Sequence, residues 1–178
     1  MSKPLSKTKI KSLNKELSGN FPDGLELIFI LQDIEDPYNI GSIFRTADAC
    51  GASIILTGTT PTIGKNPEIQ KTSMGMDRKV EWEYIKDIEE IISSLKGNGF
   101  DVVGLELTEN AQVYDEYVYK NKTALVLGNE AIGIYKKNLD LLDAAIFIPM
   151  FGKGPSLNVN VATAVVAYQI ISKVKNLW

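Results

Sequence analysis

Residues 148–162 read Ile148-Pro149-Met150-Phe151-Gly152-Lys153-Gly154-Pro155-Ser156-Leu157-Asn158-Val159-Asn160-Val161-Ala162. A short apolar stretch at 145–148 meets two prolines and two glycines, and an apolar run then continues to Lys173. The pattern predicts a strand end, an irregular excursion and a long helix over 156–173. Ser156 is placed to cap that helix, because a serine oxygen accepts the free N–H groups of a first helical turn. Asn158 is less expected. Asparagine is a poor helix former, and here it sits between Leu157 and Val159. It is either a polar ledge at the helix start or a polar group held at a ligand, and this stretch alone leaves both open.

Upstream, strand-like and helix-like segments alternate. Residues 25–31 form an apolar run interrupted only by Glu26, suited to a strand covered on both faces. Ile40, Ile43, Phe44 and Ala47 then fall at helical spacing between Pro37-Tyr38-Asn39 and Gly51. Further strands are predicted at 53–57, 100–107 and 123–127. Helices are predicted from Ile85 to Gly97 and over 131–142. Residues 58–76, rich in Gly, Pro, Thr and Asn, read as a long loop with Lys65, Lys71 and Arg78 in or beside it. Strand and helix in alternation with doubly buried strands predict an α/β fold around a parallel, Rossmann-like sheet in one domain. Ligands of such sheets lie beyond the carboxyl ends of the strands. The loops of interest therefore follow Leu31, Thr57, Leu107, Leu127 and Ile148.

Composition narrows the chemistry. The chain of 178 residues contains no histidine and one cysteine, Cys50. Histidine-based nucleophile systems and metalloprotease motifs are excluded, and so is a multi-cysteine metal site; no metal is expected. A reaction that transfers an already activated group fits such a chain. No run approaches a membrane span, and lysines interrupt any signal-like core, so a cytoplasmic protein without membrane contact is expected. Charge is unevenly spread. Residues 1–15 hold five lysines (3, 7, 9, 11 and 15) and no acid, whereas the other 163 residues carry 14 bases against 22 acids, a net of −8. Residues 1–24 are thus read as a basic arm and 25–178 as the folded domain. The arm is either a solvated terminus or a contact for a phosphate backbone.

Two further segments carry polar residues at strand–helix junctions. Leu127-Gly128-Asn129-Glu130-Ala131-Ile132-Gly133 leaves a strand through a glycine, but it is neither a Walker A loop nor a GxGxxG fingerprint. Glu130 there complements a helix dipole or faces a ligand. Asp36-Pro37-Tyr38-Asn39-Ile40-Gly41-Ser42-Ile43-Phe44-Arg45-Thr46-Ala47-Asp48 places Asn39 as a helix cap and Arg45 near the apolar stripe, with Asp48 three residues on as an ion-pair partner.

Taken together the three segments are more specific than any one. Asn-x-Gly-x-x-x-Arg-Thr-Ala at 39–47, Leu-Gly-Asn-Glu at 127–130, and Ile-Pro-Met-x-Gly with Ser-Leu-Asn-Val at 148–159 resemble, in order and spacing, the motifs of the SpoU (TrmH) family of SPOUT methyltransferases. The resemblance spans about residues 25–172. It implies transfer of methyl from S-adenosylmethionine to a ribose 2′-hydroxyl of tRNA or rRNA. By similarity, backbone around Leu107, Gly128, Ile148 and Leu157 holds the cofactor. Arg45 matches the family's catalytic arginine, and Asn39, Glu130, Ser156 and Asn158 match its other active-site positions. Glu130 would orient Arg45 or Asn39. The resemblance also implies a C-terminal trefoil α/β knot, where pattern alone predicts an unknotted sheet. It implies a homodimer as well, with the helices at 40–49 and 159–171 as candidate contact surfaces. Asn160 departs from the serine of many relatives, and Lys153-Gly154-Pro155 is stiffer than usual. A non-catalytic RNA- or cofactor-binding relative and a nucleotide-binding metabolic enzyme are the competing readings.

Overall fold

Leu31, Leu127, Leu105 and Ile146 stand side by side in the sheet, because each is paired in register with the next. They lie near the ends of four parallel strands, so four loops leave the sheet at one level. The computed structural model that shows this describes residues 4–19 and 21–175. Lys3 of the arm, Asn20 at its predicted close and residues 176–178 lie outside the described residues.

The chain runs α1 (Lys7–Ser18), β1 (Glu26–Gln32), α2 (Pro37–Cys50), β2 (Ser53–Thr57), α3 (Pro67–Ser73), β3 (Trp82–Tyr84), α4 (Ile88–Gly97), β4 (Asp101–Leu105), β5 (Gln112–Val113), β6 (Lys122–Leu127), α5 (Lys136–Leu139), β7 (Ala144–Phe147) and α6 (Val159–Val174). Among the described residues the strands form one sheet in the order β3-β2-β1-β6-β4-β7-β5, every adjacent pair parallel. The parallel α/β expectation holds.

The apolar run of β1 is explained by its two faces. Leu27, Phe29 and Leu31 pack into a cluster with Ile40, Phe44, Val166 and Ile170 of α2 and α6. Ile28 and Ile30 point the other way, toward Ile88, Ile91, Ile92 and Leu95 of α4. A strand period of two thus serves both layers at once. From β1 and β6, which are neighbours, the chain departs in opposite directions, to β2 and to β7. That is a topological switch point, and a crevice opens between such strands.

Several predicted elements have different bounds. The helix predicted over 131–142 shrinks to α5. Asn129 captures the N–H groups of Ala131 and Ile132, and Gly133 N–H closes back onto the Asn129 carbonyl at 2.8 Å, so a turn replaces the first helical residues. The long loop at 58–76 contains α3, started by an Asn66 side chain that accepts from Glu68 N–H. Ile85 precedes α4, and β3 and β5 are too short to show a period. Helix α1 exposes all of its residues, with Ile10, Leu13 and Leu17 among its lysines. Among the described residues no helix is long and apolar enough to cross a membrane.

Helices α2 and α3 touch at Gly41. A Cβ there would stand 2.7 Å from Thr72 Cβ and 2.8 Å from the Ile69 carbonyl oxygen, which is backbone and cannot swing away. Gly41→Ala is expected to lower the free energy of unfolding by about 1–3 kcal/mol, read by urea titration at unchanged m-value. Cys50 closes α2 in the core, where burial pushes its thiol up to about 12. It should stay unreactive toward a disulfide reagent at pH 8 until denaturant is added, followed by the absorbance of the released thiolate.

Candidate functional site

The loops after β1, β4, β6 and β7 enclose a cleft of about 1360 Å³ at the carboxyl edge of the sheet. No residue of the loop after β2 lines it. That loop instead braces the one after β1. Asp33, at φ 52°, accepts from Thr59 through both the backbone N–H (2.7 Å) and the hydroxyl (2.8 Å). Thr60 donates its hydroxyl to the Leu31 carbonyl and accepts from Ile34 N–H.

Of the nine site residues read from sequence, eight line this cleft: Asn39, Leu107, Gly128, Glu130, Ile148, Ser156, Leu157 and Asn158. Three of them, Glu130, Asn39 and Asn158, are joined by a chain of hydrogen bonds. The Glu130 carboxylate accepts from Glu35 N–H and Asp36 N–H at 3.2 Å each, and from Asn39 Nδ2 at 2.9 Å. Asn39 Oδ1 accepts from Asn158 Nδ2 at 2.8 Å. Asn158 Oδ1 in turn accepts from Asn160 N–H at 3.0 Å and Val161 N–H at 3.4 Å. An ionised carboxylate can only accept, which fixes the direction of both amides along the chain.

This geometry corrects two sequence expectations. Asn39 does not cap α2. Asp36 does, accepting from Tyr38 N–H at 2.9 Å, which releases the Asn39 side chain for Glu130. Nor does Ser156 cap α6, which starts at Val159 with Asn158 as its cap. The polar ledge and the cap are the same residue, and its amide nitrogen reaches α2.

Arg45 lies apart from the other eight. It is exposed near the middle of α2 and does not line the cleft. The i+3 pairing with Asp48 is absent: among the described residues no ion pair includes Arg45. The reason is its facing. Ile40, Ile43, Phe44 and Ala47 take the buried side of α2 and turn Arg45 toward solvent. Its neighbour Thr46 donates to Asn160 Oδ1 at 2.8 Å, so the residue that departs from the family serine ties α6 to the arginine-bearing helix.

Three site-shaping residues were missed. Glu106 accepts from Ile134 N–H at 3.0 Å and Leu107 N–H at 3.1 Å, joining the loops after β4 and β6. Gly133 lies against it, with no room for a Cβ. Asn129, inside a recognised motif, donates to the Asp33 carbonyl at 2.7 Å. Its pairing of polar side chain with two following N–H groups is an Asx turn, a signal present in the sequence. Gly128 has a structural reason too. A Cβ there would meet the Gly133 carbonyl carbon and Ile134 nitrogen at 2.3 Å. Tyr135, beyond this turn, has its phenol raised above the ordinary range by the Asp33 charge beside it, and stays neutral. Among the described residues no cluster of three acidic or cysteine side chains is placed to hold a metal.

Comparison with known proteins places this architecture. The SpoU rRNA Methylase family model matches residues 26–168. A Staphylococcus aureus protein assigned to the TrmH family of tRNA/rRNA methyltransferases is 34% identical over 151 residues, 85% of this chain and 60% of that protein. The chain thus spans about 60% of the length of the curated relatives it matches. An S-adenosylmethionine-bound rRNA methyltransferase from Sinorhizobium meliloti superposes with a TM-score of 0.77 at 29% identity, covering 84% of this chain and 57% of that one. An RNA 2′-O ribose methyltransferase superposes with a TM-score of 0.76 at 25% identity, over 88% of this chain and 59% of that one.

The amide chain makes a pH-dependent test. Asn39→Asp sets a second carboxylate against Glu130 and removes the donor between them. At pH 7 this variant should lose about 2 kcal/mol of stability. A shared proton restores a donor at lower pH, so the paired carboxyls have a raised folded-state pKa, and their contribution is present in acid and lost as pH rises. The gap to the unsubstituted protein should therefore narrow between pH 7 and pH 5, measured by urea denaturation at both. An equal gap at the two pH values would contradict the direct contact.

Proposed function

The chain belongs to the SpoU rRNA methylase family, and from that premise we propose that it transfers a methyl group from S-adenosylmethionine to a ribose 2′-hydroxyl of RNA. We take tRNA before rRNA as the substrate, the cytoplasm as the compartment and a homodimer as the working form. The observation that carries the reading is the convergence of seven motif residues, with Leu107, on one cleft, locked by the Glu130–Asn39–Asn158 chain. The residues present suit the cofactor. Leu107, Ile132, Met150 and Leu157 offer apolar surface for a nucleoside base, and Glu35, Asp36, Glu106 and Glu130 offer negative charge to a cationic sulfur. When bound, the cofactor supplies a methyl group already activated by that sulfonium, so the reaction needs little from the protein beyond alignment and charge stabilisation.

The side chains divide that work. Both Glu130 oxygens are occupied by N–H donors, which makes it a positioning residue for Asn39 rather than a base. Asn39 and Asn158 hold the start of α2 and α6 at fixed separation beside the cleft. Arg45 is the group that meets RNA. A guanidinium stays protonated in proteins, so it does not take the hydroxyl proton. It grips a phosphate next to the target ribose bidentately and offsets the negative charge that develops on the 2′-oxygen. Since Arg45 faces away from the cleft of its own protomer, we assign it to the cleft of a partner. Val161 and Tyr168 of α6 and Tyr38 of α2, on two helices that pack together, leave apolar surface exposed for such pairing.

The knotted path belongs to this proposal as well. Leu105 of β4 and Gln112 of β5 flank the same residue, Ile146 of β7. Residues 106–111 thus arch from one side of β7 to the other. On this reading the chain leaving β7 threads through that arch before forming the loop that reaches Asn158, which is the geometry expected of the family.

The test uses labelled S-adenosylmethionine with tRNA and with rRNA. A 2′-O-methyl group removes the hydroxyl that attacks the adjacent phosphodiester, so label should sit in dinucleotides that survive alkali. Arg45→Ala should cut the transfer rate by about 10²–10³-fold without weakening cofactor binding. Mixing Arg45→Ala with Asn158→Ala protomers should restore part of the activity when the arginine acts across the dimer. Cofactor binding with no alkali-resistant label in either RNA would overturn the proposal in favour of a binding module.

A further inference from the structure

Around the cleft most exposed apolar side chains have an occupant within reach, because Leu107, Ile132, Met150 and Leu157 line the space assigned to the cofactor. Phe151 does not. It is 99% exposed, follows Met150 directly and does not line the cleft. A cofactor seated in the cleft would leave it in water. We infer that Phe151 is a stacking platform for an unpaired nucleobase of the RNA beside the methylated nucleotide. The inference rests on the proposed RNA methylation.

Three observations favour a base over other occupants. The first is room. Gly152 has no atom within 4 Å of a Cβ built on it, and Gly154 has only the tip of Met150 at 3.9 Å. Neither glycine has a positive φ. The fold does not demand glycine at either place, and their effect is to leave the loop that follows Phe151 free of side chains at 152 and 154 and open to an approaching backbone. The second is charge. Residues 144–178 contain Lys153, Lys173 and Lys175 and no acid, in a chain of net charge −3. Lys153 lies two residues from Phe151 and is exposed, so one loop tip presents an aromatic face with a cation beside it. That pairing suits single-stranded RNA, whose bases stack on aromatic rings while lysines meet the phosphates. The third is continuity. The loop that carries Phe151 also supplies Met150, Ser156, Leu157 and Asn158 to the cleft. A base stacked on Phe151 would therefore be held by the same loop that lines the cleft.

The experiment compares wild type with Phe151→Ala, Phe151→Leu and Phe151→Trp on the RNA fraction that wild type labels. Stacking predicts a rise of about 10-fold in the KM for RNA in both the alanine and leucine variants, with tryptophan within about twofold of wild type. The Kd for S-adenosylmethionine and the sedimentation coefficient should be unchanged in all three. A leucine variant that matches wild type would show an apolar protein contact instead, and a shift in oligomeric state would place Phe151 in a subunit interface. Either result, or an unaltered KM in the alanine variant, overturns the inference while leaving the methylation reading intact. Absence of label from wild type in every RNA fraction would instead remove that reading, and this inference with it.

Discussion

The Glu130 carboxylate sits where three loops meet, and its one-sided chemistry organises them. It accepts two backbone N–H groups from the turn after β1 and the amide of Asn39. Because it offers no donor, Asn39 must present nitrogen to it and oxygen to Asn158, and Asn158 must then present its own oxygen to the α6 N–H groups. Each hydrogen bond contributes about 1 kcal/mol, and those to a charged group about 1.5–3 kcal/mol. Their greater effect is geometric. The first turn of α2, the turn after β6 and the first turn of α6 are held in one arrangement by groups that have no alternative pairing.

That arrangement requires the strands to deliver their loops at one level. The row Leu31–Leu127–Leu105–Ile146 does so, through register rather than through any single contact. The loops are then cross-braced close to the sheet. Gln32, fully buried, donates to the Gly133 carbonyl and accepts from Asn138 at 2.6 Å. Glu106 holds Ile134. Gly128 lets the turn after β6 fold back on itself at a distance no other residue permits. A cleft built this way is formed before any ligand arrives, which is the condition for aligning reactants at little entropic cost.

What the sequence disclosed depended on how local the deciding interaction was. The strands β1, β4 and β6 were legible because burial on both faces writes a continuous apolar run. The start of α6 was not. Ser156 and Asn158 are both acceptable caps, and the choice is settled by Asn39, which is 119 residues away. The truncated helix after Asn129 follows from an Asx turn that competes with helix formation, and three polar and glycine residues in a row were its only sign. Glu106 carried no signal because the partner that matters, Ile134, comes from another loop. Arg45 was identified by motif, yet its expected pairing with Asp48 assumed a buried guanidinium, and the facing of α2 leaves it in solvent. The eight cleft residues were found together because order and spacing along the chain survive even where each residue's local role is misread.

Charge separates the two ligands that the proposed reaction must bring together. Glu35, Asp36, Glu106 and Glu130 line the cleft, and among the described residues no lysine or arginine does. A cationic cofactor is favoured there and a phosphate is not. At physiological ionic strength charges are screened beyond about 8 Å, so cations a short distance outside the rim can hold an RNA backbone without cancelling the acidic interior. Exposed cations outside it include Arg45 on α2, Lys153 on the loop after β7, Lys65 and Lys71 before and in α3, Lys136 and Lys137 on α5, and the lysines of α1. On the proposed reaction, such a cleft would not draw a nucleic acid in as a polyanion. The RNA backbone would be held at the periphery, and only a ribose hydroxyl, neutral until the methyl group moves, would be admitted. The absence of histidine is compatible with the proposed reaction, because transfer of an already activated methyl group would need orientation and charge stabilisation more than a titrating base.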